Sequence, residues 1–338
     1  MADVFLVGAG LTRAALPDMP LLADLGERVC AELSDHQRLH TLMERFDSDV
    51  ELALSYLGQR YPWQDEPEAL YNKADFIIFQ QTIATVLQQT QDRFFGDDSP
   101  DWLARLVGHW AQRRETIITV NYDLCIEWAA VTEGIVQSPT QVYLGPIQQA
   151  ATRVGLPEYG PGKAGFGLLK LHGSTNWYYS GGVDNPGEHV YCSPKLMPEH
   201  VKAELQAHGG WPLIDHRPLM VPPVFQKTAI YDHHVIRCIW RLAAQAIGEC
   251  DRIFCIGYSM APTDLAIRYL LTLNAPDKRP PLYIVNKPKT EEALSNLIDR
   301  YSRALRNSYR LNIEFARTQD VLPEFVEWLL GPVSDTES

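Results

Sequence analysis

Five short apolar runs each stop at a small polar cassette, and this repeated figure narrows the folds open to the chain more than any other feature. Val4–Val7 leads into Gly8-Ala9-Gly10, and Thr116–Val120 into Asn121-Tyr122-Asp123. Leu168–Leu171, with Lys170 inside it, leads into His172-Gly173-Ser174. Ile253–Ile256 leads into Gly257-Tyr258-Ser259, and Leu282–Val285 into Asn286-Lys287. Near-continuous apolar runs of this length are what strands covered on both faces look like. Helical stretches such as Trp240–Ile247 and Thr290–Leu305 stand between them. The alternation predicts an α/β fold, a doubly wound and mostly parallel Rossmann-like sheet. Ligands of such sheets bind outside the carboxyl ends of the strands, where the cassettes fall.

Residues 31–114, between the first two runs, have a different character. Leu103, Leu106, Val107 and Trp110 recur at helical spacing, as do Phe76, Phe79, Ile83, Val86 and Leu87. The stretch is expected to form a helical insertion subdomain. The sheet domain would then comprise residues 1–30 and 115–330. The segments 136–165 and 181–214, rich in Gly, Pro and polar residues, are expected to be long loops. Such loops, or the insertion, are positioned to cover a cleft. Residues 331–338 are expected to be a disordered tail.

A net charge of −12 argues against direct binding along nucleic acid, which relies on an excess of Lys and Arg. No apolar run approaches the roughly 20 residues that span a bilayer. The first residues lack the basic segment and long apolar stretch of a secretory signal, so a cytoplasmic address without membrane attachment is expected. The six cysteines, Cys30, Cys125, Cys192, Cys238, Cys250 and Cys255, contain no CxxC pair. No metal site is expected, zinc included, because structural zinc draws on soft ligands paired closely in sequence.

Each cassette has a structural and a chemical reading. Gly8-Ala9-Gly10-Leu11-Thr12 is a fragment of a dinucleotide fingerprint, although Arg13 stands where a third glycine is usual. A plain strand–helix turn needs the same glycines. Asp123 is suited to an Asx turn capping the next helix, or it could join Asn121 in gripping a polar ligand. His172 can accept or donate a proton near neutrality, yet a lone histidine is often structural. Trp177 could wall a pocket or fill the core. Asp264 and Arg268 are spaced as an i,i+4 ion pair.

Together GAGLT at 8–12, TVNYD at 119–123, KLHGSTNW at 170–177, IGYSMAPTD at 256–264 and IVN at 284–286 resemble the SIR2-like domain of bacterial antiphage NAD+ hydrolases, distant relatives of the sirtuins. The resemblance implies an NAD+ site whose phosphate loop is Gly8, Ala9, Gly10 and Thr12. It makes Asn121 and His172 the catalytic pair, and places Asp123 near the nicotinamide pocket. Gly257, Ser259 and Asn286 would serve the cofactor-binding side, Ser259 and Asn286 at the adenosine half. NAD would be a substrate, and the products nicotinamide and ADP-ribose. The resemblance further implies a latent homo-oligomer, triggered with a separately encoded ATPase or Argonaute-like partner. Val120 stands where sirtuins carry Gln, and the sirtuins' four-cysteine zinc module is missing, which sets protein deacylation apart.

Two other classes use the same cassettes. One is a non-catalytic NAD+ or ADP-ribose sensor, and the other a protein deacylase or ADP-ribosyltransferase. In any of them a side chain at Gly10 would project where a phosphate approaches the backbone. Gly10→Val is therefore expected to weaken binding far more than it lowers stability.

Overall fold

The computed structural model describes residues 2–95, 98–149, 158–159, 165–182, 185–192, 217–221 and 232–331. The five apolar runs become five strands of one sheet: β1 (Asp3–Val7), β2 (Thr116–Thr119), β5 (Gly167–Lys170), β9 (Arg252–Ile256) and β10 (Pro281–Val285). A sixth, β11 (Arg310–Asn312), is half-exposed at the sheet edge, and its short polar sequence carries no strand signal. The spatial order is β11-β10-β9-β1-β2-β5, and every neighbouring pair is parallel. The chain winds outward from β1 through β2 to β5, returns to β9 on the other side, and winds outward again. The sheet is doubly wound, as expected, with its switch point between β1 and β9.

Burial explains why these segments are strands. Every residue of β1 is buried, and Phe5 stacks on Phe254 of β9 with ring centroids 5.0 Å apart. Helices cover both faces of the sheet. On one side α6 (Asp101–Arg113) packs with α7 (Cys125–Thr132) and α11 (Val321–Leu330), and Trp110 of α6 meets Phe5 edge-on at 5.4 Å. A second mutually packed group is α8 (His234–Glu249), α9 (Leu265–Leu273) and α10 (Glu291–Leu305).

Between β1 and β2 run α1 (Ala9–Ala15), α2 (Leu22–Glu32), α3 (Gln37–Arg45), α4 (Val50–Leu57), α5 (Glu66–Asp92) and α6. Both apolar stripes lie on helices, and all nine of their residues are buried. Two starts are capped by carboxylates, as local chemistry dictates. Asp49 accepts from the Leu52 amide at 2.9 Å, and Asp65 from the Glu68 amide at 2.8 Å. The stripe on α5 packs against α2 and α4, so these helices form one layer.

One expectation about loops is corrected. Gly181, Gly182 and residues 185–192 are strand, within the antiparallel pair β6 (Gly173–Gly182) and β7 (Asn185–Cys192). With β3 (Gln148–Gln149), β4 (Glu158–Tyr159) and β8 (Arg217–Met220) they make a second sheet, ordered β4-β3-β7-β6-β8. The Gly and Pro of the hairpin, which read as loop, mark its turn and an irregular register between Tyr179 and Gly181. Short strands and one turn of 3₁₀ helix likewise occur within 136–165. Residues 150–157, 160–164, 183–184 and 193–214 of these segments, and 332–338, lie outside the described residues. Among the described residues no helix is long and apolar enough to cross a membrane.

Candidate active site

The parallel register carries the carboxyl ends of β1, β2, β5, β9 and β10 to one edge, and the turns that follow are stitched together by their backbones. Gly8 N–H donates to Ile256 O at 2.9 Å, Gly10 N–H to Gly257 O at 2.9 Å, and Gly257 N–H to Val285 O at 2.8 Å. This closeness is what the glycines are for. A Cβ at Gly10 would sit 2.7 Å from the Gly257 Cα, and one at Gly8 2.7 Å from the Gly257 carbonyl. Gly257 itself has φ +61°, a backbone region that glycine enters without strain. The expectation for Gly10→Val is therefore corrected. Its side chain would strike the β9 turn, so the substitution destabilises the fold directly.

Above these turns lies a cleft of about 390 Å³, within the roughly 300–1,000 Å³ usual for small-molecule sites. Gly10, Asn121, His172, Ser259 and Asn286, which belong to five different cassettes, all line it. Ala9, Thr12, Asp123 and Gly257 line it too, whereas Gly8 is buried and does not. Trp177 belongs to the core, with its ring edge-on to Tyr143 at 5.0 Å. Leu22 and Leu25 of α2, Glu51 of α4 and Leu87 of α5 complete the wall opposite the sheet. None of the described lining residues is Lys or Arg, while Glu51, Asp123 and Asp264 are acidic.

Asn121 and Asp123 are joined through Thr12. The Thr12 hydroxyl donates toward Asp123 and lies 3.0 Å from each carboxylate oxygen. It accepts from the Asn121 side-chain amide at 3.1 Å. Asp123 also accepts from the Cys125 amide at 3.1 Å, the Asx turn that opens α7. Asp123 thus forms the turn that opens α7 and also lines the cleft. The turn is held below as well: Thr119 Oγ1 donates to Val7 O at 3.0 Å and accepts from Asn121 N–H at 3.1 Å. Gln91 of α5 accepts from Leu124 N–H at 2.6 Å, which ties the helical layer to the same turn.

His172 is 4% exposed and stands between Tyr122 and Trp240, whose ring centroids are 6.2 and 6.3 Å away. Burial holds its imidazole below the ordinary histidine value; the Asp264 carboxylate and a hydrogen bond to the Val120 backbone oppose this in part. A neutral imidazole carries one N–H and keeps its other nitrogen as an acceptor. Burial also raises the Asp123 carboxyl, against the lowering influence of Lys170.

Several participants have roles that the motifs do not indicate. Asp264 accepts from the Tyr258 hydroxyl at 2.9 Å rather than pairing with Arg268. Tyr122 donates to Val221 O at 2.5 Å and fixes the turn to β8. Glu51 reaches the cleft from the helical layer, where burial raises its carboxyl. Only the third dimension joins α4 to the turn after β9. Lys170 was the one visible anomaly, a cation inside an apolar run.

These features define a doubly wound α/β protein with a largely polar-floored cleft at its switch point. No family model matches the sequence, and no curated protein matches it. Similar solved structures are Sir2 proteins. Sir2Tm bound to a propionylated peptide is 15% identical, with a TM-score of 0.45 over 97% of this chain and 92% of that one. A Sir2–p53 peptide–NAD+ complex is 13% identical, with a TM-score of 0.44 over the same shares. The fold assignment rests on strand order and register, not on this likeness. Among the described residues no group of three or more His, Cys, Asp or Glu could hold a metal ion.

Proposed function

We propose that the chain is a SIR2-like NAD+ hydrolase that breaks the nicotinamide–ribose bond. The observation that carries this reading is the convergence of five strand-end cassettes on one switch-point cleft, with a buried histidine inclined to stay neutral. The acidic lining suits the cationic pyridinium of the oxidised dinucleotide. The diphosphate would be met by neutral donors, the Ala9 backbone amide and the Ser259 hydroxyl. Asn286 would sit at the adenosine half.

In the proposed reaction the C–N bond breaks with its electron pair passing to nicotinamide, which removes the pyridinium charge. The oxocarbenium-like ribose is captured at C1′ by the oxygen of water. His172 accepts the water's proton through its free ring nitrogen and passes it to solvent. Asn121, held by Thr12, orients the water or the ribose hydroxyls. Asp123 fixes Thr12 and faces the nicotinamide side. Leu22, Leu25 and Leu87 exclude bulk water from the developing charge.

By motif resemblance the enzyme is latent and homo-oligomeric, and acts in antiphage defence after a trigger. A separately encoded ATPase or Argonaute-like protein would be its partner. Incubation with NAD+ followed by separation of products tests the reading. Nicotinamide with free ADP-ribose is the expected result. Modified protein or O-acyl products would make it a transferase or deacylase. Binding without turnover, under activating conditions as well, would make it a sensor.

A further inference from the structure

The most polar element of the core takes no part in the reaction just described. Lys170 on β5 and Glu127 on α7 are each 1% exposed, and they pair at 2.9 Å directly beneath the Asn121-Tyr122-Asp123 turn. Lys170 Nζ also donates to the backbone carbonyls of Asp123 and, at 3.4 Å, Tyr122. Glu127 accepts from the Tyr143 hydroxyl at 2.8 Å, and that hydroxyl lies 3.2 Å from the Asn176 carbonyl oxygen. A buried ion pair is a poor source of stability, since desolvation offsets much of its attraction. Its placement has a consequence for the cleft.

We infer that Lys170 is a positioning residue for Asn121, acting through the chain Lys170–Asp123–Thr12–Asn121. The inference rests on the proposed role of Asn121 in NAD+ cleavage. Lys170 grips the main chain of Asp123 from below and supplies the cation that faces its carboxylate. An ionised Asp123 can only accept, so it obliges the Thr12 hydroxyl to donate toward it. That leaves the hydroxyl's lone pairs to accept from the Asn121 amide, whose carbonyl oxygen then has one orientation. A protonated Asp123 can donate to Thr12 instead, and the amide loses that constraint. Because Lys170 lies two residues before His172 on the same strand end, one anchor sets both halves of the site.

The charged or titratable groups that influence Asp123 are Lys170 from β5 and Glu127 and the Cys125 thiol from α7; Thr12 from α1 contributes a neutral hydroxyl. Lys170 favours the carboxylate and Glu127 opposes it, with Lys170 the stronger of the two. Lys170→Met alone would strand a buried carboxylate, so the test pairs it with Glu127→Gln, which keeps an acceptor for Tyr143.

The experiment follows the Asn121 side-chain amide by NMR across pH, together with the pH profile of NAD+ cleavage. In K170M/E127Q the amide transition and the acid limb of cleavage should both move to higher pH. The kcat should fall by roughly 10–100-fold, as misplacement of a reacting group by a distant substitution does, with KM little changed. E127Q alone should move both to lower pH, and it serves as the test if the double variant does not fold. A merely structural pair would not produce shifts of opposite sign. Folded variants whose Asn121 amide titrates as in the parent would overturn the inference. Opposite amide shifts in a chain that never cleaves NAD+ would leave the coupling standing and remove the hydrolase reading.

Discussion

The Thr12 hydroxyl lies 3.0 Å from each carboxylate oxygen of Asp123, although 111 positions separate the two residues. The contact joins the turn after β1 to the turn after β2, and the same hydroxyl receives the Asn121 amide. Thr12 is thus a coupling group between two strand ends more than a free phosphate ligand. Thr12→Val keeps its shape and removes the hydroxyl. Leaving buried Asp123 without that donor should lower stability by about 1–3 kcal/mol. NAD+ turnover should fall with it, and Thr12→Ser should restore both. Denaturant unfolding and turnover of the two variants decide this; a fully active T12V would remove Thr12 from the site.

Asn121→Ala and His172→Ala should each abolish most NAD+ cleavage with the fold retained, because positioned acid–base groups contribute about 10²–10⁴-fold. Turnover at the parent rate in activated His172→Ala would end its assigned role. The pH profile supplies an independent check. His172 is held below its ordinary value by burial, so the base form should persist below pH 6.5 and its protonation should add a loss of rate only under that value, separate from the Asp123 transition. The folded state prefers neutral imidazole, and the associated stability is present above the unfolded value and lost as pH falls through the folded one. An NMR titration of the His172 ring would show both.

Gly10→Val should unfold at markedly lower denaturant, because its Cβ would meet the Gly257 Cα at 2.7 Å. Overpacking of this kind typically costs about 1–3 kcal/mol. Gly257→Ala should be at least as harmful, since strain at positive φ adds to a 2.2 Å approach to the Leu11 nitrogen. A Gly10→Val protein with parental stability would show that the two turns can separate freely.

The opposite edge of the sheet has its own titration. Burial, with the Asp3 carboxylate beside it, pushes the Glu115 carboxyl up to about 7. Its folded value exceeds its unfolded value, so the stability it contributes is complete below about 4.5 and is lost as pH rises through about 7. Glu115→Gln should therefore gain in Tm relative to the parent as pH rises from 5 to 8. Thermal melts that show a constant difference across that range would refute the assignment.

The main sheet was legible because its strands are buried on both faces, so each announces itself as an apolar run without needing its neighbours. The same holds for the helical stripes of α5 and α6, where 3.6-residue periodicity is a local property of the chain. From those runs alone it follows that Asn121, His172, Ser259 and Asn286 sit at strand ends. Other features became visible only in three dimensions. β6 and β7 are antiparallel, and the Gly and Pro around their turn mask any alternation. Glu51 enters the cleft because α4 is carried across the sheet edge by the packing of α5 on α2 and α4. The purpose of Gly10 also changed, from room for a ligand to room for Gly257, since the partner of a close backbone approach cannot be read from one side of it. Lys170 is the clearest division between the two. Its sequence position marks an unsatisfied charge in a core strand, while its partners, the Tyr122 and Asp123 carbonyls and Glu127, belong to a turn and the helix after it that only the parallel register of β2 and β5 brings within reach.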